Sequence, residues 1–213
     1  MATLDLEEQE QLEAMKSWWA DNRAWILSTL LIIAVVVGGW RGWHYYQNKQ
    51  ASEAAILYAE FEKQIESKDV KRINDAATMV MNKYPSSGYA TRAALSAVQL
   101  NVELAQDVAR AKTLLQWTMD HGKEAGLRNV AALQLAAMLL DEKNYVEAIK
   151  LLDTPHQSSF DGLFADLRGD VLSAQGKFEE AKTLYKLAYE KMDARGGYRN
   201  LVQMKLDALG LGQ

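Results

Sequence analysis

The chain has 213 residues, with 24 Lys and Arg against 28 Asp and Glu and a net charge of −4. It has no cysteine, which excludes disulfides, thiolate catalysis and Cys-based zinc sites. Two prolines, abundant Ala, Leu, Glu, Lys and Gln, and no sustained β-branched alternation flanking an Asn-Gly or Asp-Gly hairpin turn predict an all-α fold.

The first 43 residues carry three cations (Lys16, Arg23, Arg41) and six acids (Asp5, Glu7, Glu8, Glu10, Glu13, Asp21). The remainder carries 21 cations and 22 acids, a near-neutral mixture without the basic patch of a nucleic-acid binder.

Between Arg23 and Arg41 lie 17 uncharged residues, from Ala24 to Trp40. As a helix they extend ~25 Å, slightly less than a ~30 Å hydrocarbon core. The Arg41 side chain can snorkel, so Gly42 and Trp43 join the span and a transmembrane helix over 24–43 is predicted. Aromatic residues gather at both ends: Trp18, Trp19 and Trp25 before, Trp40, Trp43, Tyr45 and Tyr46 after. Such rings prefer the bilayer interfaces, and Trp25, Arg41, Trp43 and Tyr45 are the expected interface anchors. An acidic leader and the lack of a small-x-small site after the apolar run argue for a retained anchor rather than a cleaved signal. The positive-inside count ties, Lys16 and Arg23 against Arg41 and Lys49, so charge leaves the orientation open. Gly38 and Gly42 form a Gly-x-x-x-Gly spacing, which is either a helix-packing face or two small residues at a helix end. Helix is expected to continue from Trp43 to Ser67, since neither Pro nor Gly follows Gly42 there.

Internal periodicity appears further on. Ala136, Leu139, Tyr145, Ala148 and Leu152 recur 33 residues later as Gly169, Leu172, Phe178, Ala181 and Tyr185. This is the tetratricopeptide pattern: a small residue in helix A, an aromatic at the turn, then a small and a bulky residue in helix B. The small residues let the two helices approach closely. Upstream the pattern decays, with Val102, Val108, Ala111 and Leu115 in matching places but Gln99 where a small residue belongs. Helix pairs are expected at about 52–83, 89–119, 129–153 and 162–192, with a capping helix over 197–209. The predicted organisation is a tail over 1–23, the transmembrane helix over 24–43, and a tetratricopeptide-repeat-like α-solenoid over 44–213.

No chemistry-bearing motif emerges. His44 lies in the aromatic collar, and His121 and His156 in predicted loops, none in a His-Glu-x-x-His arrangement. Gly-x-Ser-x-Gly, P-loop and Gly-x-Gly-x-x-Gly patterns are missing. Catalytic, metal and cofactor residues are therefore not expected. Asp166 and Asp170, four apart on a repeat helix, fit a groove or a solvated face better than acid–base work. Glu179 and Glu180 sit at a helix start, where acids suit the helix dipole. By repeat position, a protein-binding groove should be lined by Leu133, Ala137, Leu140, Asp166, Asp170 and Ser173.

Several stretches together resemble the YfgM family of ancillary SecYEG translocon subunits. They are Leu12 to Asn22 ahead of the span, Gly39-Trp40-Arg41 closing it, Ala165 to Asp170, and Gln203-Met204-Lys205-Leu206-Asp207. The resemblance covers the whole chain. It implies a single-pass type II protein of the bacterial inner membrane, tail cytoplasmic and repeats periplasmic. It further implies association with SecYEG and with PpiD, a membrane-anchored periplasmic chaperone, and the passing of exported polypeptides to periplasmic folding factors. The family's tail has also been connected with a stress-response regulator. The rival expectations are a repeat scaffold for envelope or cell-wall assembly, an envelope enzyme, and a cytoplasmic domain with the tail outside.

Overall fold

The computed structural model describes residues 6–193 and 196–210; the remaining parts of the expected tail and repeat domain, 1–5, 194–195 and 211–213, lie outside the described residues. Among the described residues there are nine α-helices and no strand, which bears out the all-α reading. The chain divides into two units, residues 1–49 and 50–213. Helix α1 (Leu6–Glu66) supplies the described part of the first unit and the opening of the second.

In the first unit the apolar stretch is exposed along nearly its whole length, with Leu30, Leu31, Ile32, Ile33, Val35 and Val36 all uncovered and only Ile26 and Thr29 partly covered. A soluble domain would bury such a run. Its hydroxyls are satisfied within the helix: Ser28 Oγ donates to the Ala24 carbonyl at 2.7 Å and Thr29 Oγ1 to the Trp25 carbonyl at 2.9 Å. Internal satisfaction is what a hydrocarbon surrounding demands, since it offers no water partner. Among the described residues, α1 alone is long and apolar enough to cross a membrane.

The second unit continues with α2 (Val70–Lys83), α3 (Gly88–Leu100), α4 (Val108–His121), α5 (Ala125–Asp141), α6 (Tyr145–Leu152), α7 (Asp161–Ala174), α8 (Phe178–Lys191) and α9 (Gly197–Ala208). Each of these packs chiefly on its neighbour in the chain, as in an α-solenoid. Side-chain caps start three of them. Asp69 accepts from the Lys71 and Arg72 amides, Ser87 from Ala90, and Asp107 from Arg110. Each such cap contributes about 1 kcal/mol. Pro85 stops α2, because proline disfavours helical backbone at the preceding Tyr84.

The repeat symmetry is visible in the backbone. After α5, Asn144 N–H bonds the Leu139 carbonyl at 2.8 Å and Lys143 N–H the Leu140 carbonyl at 2.9 Å. After α7, Lys177 N–H bonds Leu172 and Gly176 N–H bonds Ser173, both at 2.9 Å. Both turns are Schellman motifs, with a left-handed residue at φ +60° (Lys143) and φ +78° (Gly176). These backbone bonds hold the turn by themselves. Phe178, the aromatic at the second turn, remains about half exposed, at 52%, whereas Tyr145 at the first packs against the Ala136–Phe164 cluster.

The core is layered. One cluster joins Phe61, Ile73, Val80, Leu114 and Leu115 with the buried alanines of α3. A second joins Ala136, Leu152, Phe164 and Val171, and a third Tyr185, Val202 and Leu206. The decayed repeat holds an irregularity that periodicity does not announce: α3 runs on as a π-turn over Asn101–Ala105. Buried Asn101 exchanges amide hydrogen bonds with Asn74 at 2.8 and 2.9 Å. His121, expected in a loop, is instead the last residue of α4.

Candidate functional site

Leu133, Ala137 and Leu140 follow one another at helical spacing along α5, and all three are half-buried. Leu133 and Leu140 lean on the Ala136–Phe164 cluster, so part of each side chain is committed to the core. Asp166, Asp170 and Ser173 occupy the matching places on α7. Here the last helix intervenes.

Lys205 of α9 brings its Nζ to within 2.9 Å of both Asp166 carboxylate oxygens and 2.7 Å of the Asp170 carboxylate. Asp166 is 1% exposed, and the Tyr198 hydroxyl donates to it at 3.1 Å. The Tyr185 hydroxyl of α8 donates to Asp170 at 2.8 Å, and Ser173 also reaches that hydroxyl. Two carboxylates, one ammonium and two phenols thus tie α7, α8 and α9 together. Desolvation makes such a cluster costly to assemble, yet removing one member strands a buried charge.

The electrostatics follow from burial and these bonds. Burial pushes the Asp166 carboxyl up, and the bond from Lys205 offsets this only in part. Burial pulls Lys205 down, but its bonds to Asp166 and Asp170 outweigh that and hold the ammonium above its ordinary value. Burial, then the bond to Asp170, pushes the Tyr185 phenol up; burial, then the charge of Asp166, does the same for Tyr198. All four groups thereby favour the protonated form. At neutral pH the lysine is charged, and the phenols stay neutral as donors. The arrangement has the chemistry of a structural clasp. Asp166 and Asp170 are both engaged by it, Asp166 buried and Asp170 half-buried, and Ser173 is half-buried beside it.

In the first unit, Trp25, Trp43 and Tyr45 stand 71%, 62% and 74% exposed, and Arg41 is exposed as well. Trp40 packs edge-on against His44 one turn later, with ring centres 4.6 Å apart. Among the described residues, no group of three or more His, Asp or Glu side chains could hold a metal ion. The clasp partners Lys205 and Tyr198 escaped sequence reasoning, because Lys205 lies 39 residues from Asp166 and no spacing rule links them.

A family model described as a tetratricopeptide repeat-like domain matches residues 16–211. A protein named ancillary SecYEG translocon subunit from Neisseria gonorrhoeae is 35% identical over 208 residues, covering 96% of this chain and 98% of its own length. Proteins of the same name from Haemophilus influenzae and Escherichia coli K12 are each 26% identical, over 210 and 207 residues. Both alignments cover 96% of this chain, and 98% and 97% of those relatives. No solved structure matches.

Proposed function

This chain belongs to the tetratricopeptide repeat-like family of ancillary SecYEG translocon subunits, and we propose that it acts as one: a single-pass inner-membrane protein that associates with SecYEG. The observation that carries this reading is the extent of the likeness. The matched residues 16–211 take in the apolar stretch and the repeats together, so anchor and binding domain come as one unit of descent. The role is binding rather than catalysis.

The finer reading is a relay. The tail lies in the cytoplasm and the repeats in the periplasm, as in a type II protein. The repeats receive exported polypeptides at the translocon and pass them to a PpiD-like membrane-anchored chaperone. Extended polypeptide is gripped along the groove of α5 and α7, where Leu133, Ala137 and Leu140 supply half-buried apolar contacts. Asp170 and Ser173 add polar ones, and Asp166 shapes the groove from beneath through its bond to Lys205. Concave repeat surfaces suit this use, since many neighbouring side chains can follow an extended chain.

Photo-crosslinking in intact membranes tests the reading. Probes at Ala137 and Ser173 should give adducts with nascent exported chains and with a chaperone, and Ala137→Arg should suppress them. Adducts with cell-wall enzymes instead would favour an envelope scaffold. Protease digestion of spheroplasts should degrade the repeats; protection would reverse the orientation.

A further inference from the structure

A second concavity lies apart from the Leu133–Leu140 groove residues. It is a cavity of about 340 Å³ between the end of α4, the start of α5 and the loop Thr154–Gln157. Met119, Ala132 and Pro155 give it apolar walls, and Arg128, Asn129 and His156 supply the polar ones. None of its lining residues among those described is acidic.

Three features converge there. No side chain caps α5, whose N-cap is Glu124. Glu124 turns away: its Oε1 lies 3.0 Å from where a Cβ on Gly88 would stand. The first backbone bonds of α5 begin at Leu127 and Arg128, both onto the Glu124 carbonyl, which leaves the Ala125 and Gly126 amides at the positive end of a 17-residue helix uncapped. Arg128 anchors its Nη1 on the Gly122 carbonyl at 2.6 Å, which fixes a cationic guanidinium at the rim. Asn129 is only 8% exposed, lines the cavity, and its Nδ2 has no hydrogen-bond acceptor. A buried donor without an acceptor costs free energy that a ligand oxygen would recover.

His156 closes the far side without competing. Its ring stacks on Phe164 at 3.8 Å, Nδ1 lies 2.9 Å from the Thr154 carbonyl, and Nε2 faces Asp161 at 3.4 Å. The unpartnered side-chain atom is therefore a donor, Asn129 Nδ2, and Arg128 adds a cation beside it; Gln157 brings an amide to the same wall, its Oε1 3.6 Å from where a Cβ on Gly126 would stand. The volume suits one residue of a peptide with its neighbour's backbone.

We propose that this cavity is a carboxylate site, taking the carboxylate of a bound polypeptide while its adjacent apolar side chain lies against Met119, Ala132 and Pro155. The carboxylate comes from the peptide's free C-terminus or from an aspartate side chain. The oxygens accept from Asn129 Nδ2, the Arg128 guanidinium and the first amides of α5.

The test uses the full chain purified in mild detergent and three fluorescent tripeptides read by anisotropy. They are Ala-Leu-Leu with a free carboxylate, the same peptide amidated, and Ala-Asp-Leu amidated. Binding of the first alone identifies a C-terminal site, and binding of the third identifies a side-chain site. Equal binding of all three, or of none, overturns the proposal. Asn129→Asp puts a like charge in the cavity and should weaken carboxylate binding by about tenfold or more. Asn129→Leu removes the donor, with an expected loss of about tenfold and a melting temperature no lower than the parent's. Undiminished binding by Asn129→Leu also overturns the proposal, and this result bears only on the cavity, not on the groove of α5 and α7.

Discussion

Gly169 lies against the ring of Tyr185, so close that a Cβ on the glycine would stand 2.6 Å from the tyrosine Cε1. One repeat earlier the same two places hold Ala136 and Leu152, both buried in one cluster. The pair is a compensated exchange. A leucine leaves room for the alanine methyl, whereas the tyrosine ring takes that room and leaves it for glycine alone. Gly169→Ala should therefore cost about 2 kcal/mol through overpacking, despite alanine's better helix propensity. Gly169→Ala combined with Tyr185→Leu recreates the earlier pair and should recover much of the loss. Urea denaturation of the three variants measures both effects.

Lys205→Met removes the only lysine of the clasp and leaves Asp166 buried beside a lone phenol donor. An uncompensated buried charge costs about 3 kcal/mol or more. The loss should fall on α9 first, so limited proteolysis should clip the C-terminal helix before the rest of the repeats. Asp166→Asn in the same background should restore part of the stability by removing the stranded charge.

The clasp also dictates an alkaline limit. Lys205, Tyr185 and Tyr198 all have folded pKa values above their ordinary ones. Tyr84, whose hydroxyl donates to Glu53 at 2.6 Å, is pushed up to about 12, first by that bond and then by burial. A raised folded pKa means a contribution fully present below the unfolded value and lost as the pH climbs through the folded one. For phenols and lysine the unfolded values lie at about 10. Thermal stability should hold to about pH 9.5 and then fall, and tyrosinate absorbance should show delayed ionisation until unfolding. Asp166, raised as well, adds no loss on moderate acidification, because its folded form prefers the proton.

Lys143 occupies the left-handed position that Gly176 fills one repeat later. A side chain there costs about 1 kcal/mol. Lys143→Gly should raise the melting temperature by a few degrees, reduced somewhat by the greater entropy of the unfolded glycine. Differential scanning calorimetry would register the change.

Much of the fold was legible in the sequence, for physical reasons that apply residue by residue. The 17 uncharged residues between Arg23 and Arg41 admit few environments, and the Ala136–Leu152 set repeats 33 residues on because close helix packing requires small residues in fixed places. The π-turn at Asn101 was not legible, since its stabilising contact is an amide exchange with Asn74 across 27 residues. Nor was the burial of Asp166. From the spacing, Asp166 and Asp170 form one acidic face; the arrival of Lys205 from the last helix turns that face into a clasp. Long-range pairing of single polar residues leaves no periodic trace, whereas helical packing does.

If the exposed apolar helix and the paired helices serve together at the translocon, the chain should be recovered bound to SecY. Affinity purification of the tagged full chain from membranes dissolved in mild detergent, with SecY quantified in the eluate, tests it most directly. SecY should co-elute, and should disappear from the eluate when residues 24–43 are replaced by an unrelated membrane helix or the repeats are deleted. Full recovery of the chain from membranes with no SecY above the untagged control would contradict it.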